Sequence, residues 1–217
     1  MKNYGTLLAI VITLCVGSSA HCATLFSNLG KSDDEGLGIT FQGAGEATDF
    51  LTSSTATTIT SATLALNNFD SIDHHLTVEL LANKSGAPDA LVGTLGVLTV
   101  PASQMDISSY TISSAGILLA ANTKYWIAIF MNEGVSGGGY VSWSATTSQA
   151  TDSGSLFATV SSTSIKYSDD GGATYQDETS GNFRFALSNT PAPEPTCAML
   201  IVLSGITLFK RRVFSSW

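Results

Sequence analysis

Between Thr57 and Leu187 apolar residues fall in short runs with a period of two, separated by glycine, proline and small polar residues. In Thr57–Phe69, Ile59, Ala62, Leu64 and Leu66 alternate with polar neighbours after an initial slip. Leu76, Val78 and Leu80 share one face of the next run, with Thr77 and Glu79 on the other. Leu91–Val100 predicts a pair of strands broken at Gly93 and Gly96 and stopped by Pro101. Lys124–Met131 is apolar on both faces, with Tyr125, Ile127, Ile129 and Met131 opposite Trp126, Ala128 and Phe130. A strand of that kind is central, sandwiched between layers. Tyr140–Ala145, Leu156–Val160, Ile165–Tyr167 and Phe183–Leu187 complete the set. Short strands with turn signals about every 8–12 residues predict a single antiparallel β-sandwich. No long amphipathic helical stretch and no repeat of fixed period interrupts them, and Thr52–Ala62 is low-complexity polar sequence rather than a linker.

Two apolar segments at the ends depart from this pattern. Lys2 precedes the apolar run Leu7–Val16, and Gly17–Ala20 supplies small residues, the order of a secretory signal peptide. Cleavage fits after Ala20, with Ser18 upstream, or after Cys22, with Ala20 in that role; the second makes 1–22 the signal peptide. Cys22 does not suit lipid attachment, because His21 stands where a small residue is wanted and Ser19 where an apolar one belongs. At the other end, Pro191, Pro193 and Pro195 favour an extended, exposed linker. The apolar stretch Thr196–Phe209 follows, then Lys210, Arg211 and Arg212. A helix over those 14 residues would be about 21 Å long, short of the roughly 30 Å hydrocarbon core of a bilayer. The basic cluster holds its end on the cytoplasmic side. A weak membrane helix behind an accessible linker suits temporary retention followed by cleavage.

Removing both segments leaves residues 23–190, enough for one domain with a proper core. Its 16 acidic side chains face five basic ones, a net charge of about −11 against −8 for the whole chain. Nucleic acids and anionic lipids require a basic patch, so this balance excludes both as partners. The three cysteines, Cys15, Cys22 and Cys197, all lie in the end segments. The domain therefore has no disulfide, catalytic thiol or thiolate metal site.

The C-terminal arrangement, Pro193-Glu194-Pro195, an apolar helix with a central Gly205 and a Lys210-Arg211-Arg212 stop, resembles the PEP-CTERM sorting signal of bacteria that make extracellular polymer. That resemblance implies recognition of Pro193, Glu194 and Pro195 by exosortase, a membrane cysteine-protease-like transpeptidase. Within the domain the order of motifs is also familiar. Leu25–Gly30 comes first, then the strands at 59–66 and 76–81, Ser85-Gly86-Ala87-Pro88 and Leu118–Trp126. Trp143, Tyr167–Tyr175 and Gly181–Phe185 follow. This order resembles the choice-of-anchor R domains of secreted bacterial proteins over nearly the whole of Leu25–Leu187. The resemblance implies a jelly-roll-like sandwich and no known activity; Tyr175 stands where that family often has Trp.

Ser168-x-Asp170-x-Gly172-x-Thr174-Tyr175 matches the Asp-box, a hairpin motif named from sialidases. A single copy predicts a structural turn, with glycines at positive φ and side chains bonding the loop's own backbone. Gly134-Val135-Ser136-Gly137-Gly138 fits the nucleophile pattern G-x-S-x-G, but that serine needs a helix after it. A strand follows here, so the segment reads as a glycine-rich hairpin loop. Asp70, Asp73, His74 and His75 offer metal donors, yet adjacent strand residues point to opposite faces. Asp33-Asp34-Glu35, followed by Gly36, could join a calcium site with backbone carbonyls, but its spacing is unlike an EF-hand and it reads first as a solvated acidic loop. Glu46, Glu79, Glu133 and Glu178 are the glutamates from which a glycosidase pair would be drawn, and no spacing brings two together. Tyr140 and Trp143 could stack on sugars, but three residues apart they take opposite strand faces.

The sequence thus predicts a non-enzymatic protein without cofactor or metal. Signal peptidase and exosortase process it, its C-terminal helix anchors it transiently in the inner membrane, and it ends at the cell surface or in the matrix. A structural or adhesive role in the exopolysaccharide layer is expected, with a glycan-binding module or weak glycoside hydrolase as the alternative.

Overall fold

The computed structural model describes residues 23–33, 35–39, 42–134, 139–152, 155, 165–178 and 181–189. The signal peptide 1–22, the sorting segment 191–217, Asp34, Ser136 and the strand expected at Leu156–Val160 lie outside the described residues. Every described residue belongs to one folding unit, Cys22–Thr190.

Thirteen strands make up the described chain, with no helix among them. In order they are β1 (Thr24–Ser27), β2 (Glu35–Ile39), β3 (Gly45–Leu51), β4 (Thr57–Asn68), β5 (His74–Lys84), β6 (Ala87–Val100) and β7 (Ser108–Leu119). β8 (Lys124–Met131), β9 (Val141–Thr146), β10 (Ile165–Ser168), β11 (Gln176–Asp177), β12 (Asn182–Phe183) and β13 (Phe185–Ser188) complete them. Seven form one antiparallel sheet in the order β1-β13-β4-β9-β12, with β2 also pairing β9 and β7 also pairing β4. The other six form a second sheet, β11-β10-β3-β8-β5-β6.

The two sheets pack as a sandwich because each carries an apolar face. Leu76, Val78, Leu80, Ile127, Ile129 and Phe50 come from the six-stranded sheet; Phe26, Leu64, Leu66, Trp143, Phe183 and Phe185 come from the seven-stranded one. Phe50 meets Phe185 across the interface with ring centroids 6.2 Å apart, and Trp143 stacks flat on Phe183 at 4.3 Å. The opposite face of β8, with Trp126, Ala128 and Phe130, builds a second, smaller cluster against Ala47 and Leu81. Tyr175 of the β10–β11 hairpin packs on that cluster. A strand apolar on both faces is therefore covered on both.

The slip at the start of β4 is a bulge between Ile59 and Ser61 in the pairing with β7. Three expectations change. Leu91–Val100 is not a strand pair but part of one strand, β6, which stays on β5 through three register shifts. Its glycines admit β7 instead of ending the strand: a Cβ at Gly93 would lie 2.8 Å from Ile117, and one at Gly96 would lie 2.9 Å from Ile112. Phe183–Leu187 is split at Arg184, so that β12 joins β9 and β13 joins β4. There the Arg184 amide donates to the Ser144 carbonyl (2.8 Å) while the Arg184 carbonyl accepts from Ala65 (3.1 Å). Finally, the glycine-rich segment after β8 connects the six-stranded sheet to β9 in the seven-stranded one, so it is a crossover between sheets and not a hairpin.

Candidate functional site

The outer face of the seven-stranded sheet holds a pocket, and strand alternation explains its lining. Leu64 and Leu66 face the core, so Asn67 lies outward near the end of β4. Trp143 faces the core, so Ser142 and Ser144 lie outward on β9. Register sets Asn67 opposite Ser142, Ser142 opposite Gly38, and Ser144 opposite Gly36. The floor is thus two serines flanked on β2 by residues without side chains. Phe69 and Tyr140 form one wall, their rings 4.6 Å apart, and Ile107 and Asp33 complete a cavity of about 220 Å³.

Its polar groups are held in sequence. The Arg184 guanidinium donates through Nη1 to Ser144 Oγ (3.0 Å) and through Nη2 to the Leu29 carbonyl. Ser144 Oγ in turn donates to Asp33 Oδ1 at 2.6 Å. Asn67 Nδ2 donates to the Met105 carbonyl at 3.4 Å, while its Oδ1 is buried without a partner. Tyr140 keeps 37% of its surface exposed. Trp143, the other expected stacking residue, is fully buried.

The histidine cluster has a different character. His74 and His75 open β5 and take opposite faces: His74 is buried and His75 is exposed. His74 Nε2 lies 3.0 Å from Asp70 Oδ2, a fully buried contact. Glu133 Oε1 accepts from the His75 amide (2.6 Å), lies 2.9 Å from His75 Nδ1 and stands 3.9 Å from His74 Nδ1. Asp73 turns away to accept from the Ala102 amide at 2.8 Å. Among the described residues no three His, Cys, Asp or Glu side chains are grouped to hold a metal ion.

The glutamates are dispersed, with one exception. Burial in the sandwich raises the Glu46 carboxyl well above its ordinary 4.5, and the charge of Glu178 raises it further. Glu46 is only 4% exposed and its Oε2 has no partner, so it is sealed from substrate. Burial also raises Glu79, against a lowering hydrogen bond from Thr94.

The Asp-box is a turn, as its glycines demand. Gly171 and Gly172 adopt φ of 73° and 88°. Ser168 Oγ accepts from the Gly172 amide at 2.8 Å, and Asp170 accepts from the Thr174 amide (2.8 Å) and hydroxyl (2.7 Å). Those bonds, the Thr174 hydroxyl foremost, hold the Asp170 carboxyl down to about 2. Burial, with the charges of Glu79 and Asp170, pushes the Tyr175 phenol far up.

All five cations of the domain are engaged. Lys31 pairs with Asp152 (3.6 Å), Lys84 with Asp89 (3.7 Å), Lys124 with Asp49 (2.7 Å) and Lys166 with Asp177, and Arg184 is held as above. Sequence reasoning singled out Tyr140 but missed Asn67, Phe69, Ser142 and Ser144 as its companions. The visible signal was the polar alternation at the end of β4 and along β9. No protein-family model matches the chain, and no curated protein is significantly similar to it.

Proposed function

We propose that this chain is an exported cell-surface or matrix protein, processed by signal peptidase and exosortase, with a structural or adhesive rather than catalytic role in an exopolysaccharide layer. The observation that carries this reading is the C-terminal series of Pro193-Glu194-Pro195, Thr196–Phe209 and Lys210-Arg211-Arg212. The fold is compatible with it, since a two-sheet core closed by Trp143, Phe183 and Phe185 needs no disulfide. A jelly-roll-like course of the strands belongs to the same proposal. A second reading, glycan binding, is favoured by the pocket under Tyr140; hydrolysis is not, because Asp33 is the single carboxylate among the described residues lining it.

The test is Glu194→Ala, expressed in the native host and followed by fractionation and immunoblotting. The expected result is a longer form retained in the membrane. Unchanged size and unchanged release would defeat the sorting reading.

A further inference from the structure

We propose that the pocket between Tyr140 and Asn67 is a binding site for one neutral pyranose ring of a polysaccharide. At about 220 Å³ it is smaller than the roughly 300–1,000 Å³ of sites for drug-sized ligands and matches a single ring. Its chemistry calls for a ligand with two unlike faces. On one side stand Phe69 and the exposed Tyr140, an aromatic wall suited to the C–H face of a sugar.

On the other side stand two acceptors, a buried one on Asn67 and an exposed one on Asp33. Asn67 donates one amide hydrogen to the Met105 carbonyl, and its Oδ1 has no partner in a residue only 8% exposed. A buried acceptor without a donor is costly, so it marks a place where a ligand hydroxyl would be gained at little loss. Asp33 offers a second acceptor at the rim: Oδ1 takes the Ser144 hydroxyl, and a carboxylate has capacity for more. Because Ser144 already accepts from Arg184, its own proton is committed to Asp33. The orientation of this row is therefore fixed before any ligand arrives. Gly36 and Gly38, opposite the two serines in the register, bring no side chain beside them.

A ligand that supplies hydroxyl donors beside an apolar face is a pyranose. Asp33 and the net charge of about −11 disfavour uronic acids and other anions. The site deepens the surface reading above, which supplies only the source of the sugar; binding to purified protein does not depend on sorting.

The test titrates the full chain, in a sugar-free detergent, with glucose, galactose, mannose and their neutral oligosaccharides, with glucuronate for comparison, by calorimetry or ligand-observed NMR. Saturable binding of at least one neutral sugar is expected, with glucuronate weaker. Asn67→Ala and Tyr140→Ala should each weaken it by about 10-fold or more with the melting temperature of the Tyr140 variant unchanged, while Leu118→Ser, on an exposed position of β7, should leave it intact. No saturable binding by wild type, or binding that survives both pocket substitutions, would overturn the proposal. So would binding of glucuronate alone.

Discussion

Two carboxylates of this domain respond to pH in opposite senses, and each follows from its neighbours. Asp170 carries hydrogen bonds from Thr174 and Ser168 and titrates near 2 rather than its ordinary 3.8. A depressed folded value means that its contribution to stability is complete above the unfolded value and lost as pH falls through about 2. Asp170→Asn should therefore lower the melting temperature at pH 7 and flatten the fall of stability between about pH 4 and 2, measured by thermal melts across that range. Glu46 shows the reverse. Its folded value lies above the ordinary 4.5, so its contribution is complete below that pH and lost as pH rises through the folded value. Glu46→Gln should melt like wild type at pH 4 and higher than wild type at pH 8; equal melting at both would remove burial as the cause. The Asp-box roles could be read from residue spacing, since Ser168, Asp170 and Thr174 act on their own loop. The Glu46 environment could not, because it depends on β3 being covered by another sheet.

Elements were legible where at least one face is apolar and illegible where both are mixed. β4 and β5 carry clear alternation, and their inward residues are those the pattern names, while β8 stands out as a run apolar on both faces. β7 has Ile112 and Leu119 as its buried apolar residues and otherwise reads Ser/Thr-rich, so it gave no strand signal. β3 was hidden for another reason: Glu46, Thr48 and Asp49 are buried in it, against the usual preference. The pocket was half visible, because Tyr140 and Trp143 were known to take opposite faces but the pairing of β4 with β9 was not. The break between β12 and β13 also lay beyond local pattern. Asn28 fixes it, donating from Nδ2 to the Phe183 carbonyl (2.9 Å) and accepting at Oδ1 from the Phe185 amide (2.7 Å), on both sides of Arg184. Asn28→Ala would leave two buried backbone groups unsatisfied and should cost about 2–4 kcal/mol in chemical denaturation. A loss near zero would mean that the segment has another support.

At the scale of the whole chain, the domain and its ends answer different questions. The sandwich provides a closed apolar core among the described residues, and each of its four lysines lies against an aspartate. The fold class was legible because alternation and turn chemistry recur along the whole domain. The proposed destination rests only on residues 1–22 and 191–217, and is argued from the order of charge, apolar length and proline rather than from packing. The central claim is that both ends are removed and the domain is delivered outside. Its most direct test is the intact mass of the protein recovered from the cell surface or medium of the native host, with terminal peptides sequenced. The account predicts a chain that begins near Ala23 and lacks the apolar segment Thr196–Phe209 together with Lys210–Trp217. Recovery of a chain that still ends at Trp217, in the cytoplasm or stably in the membrane, would contradict it.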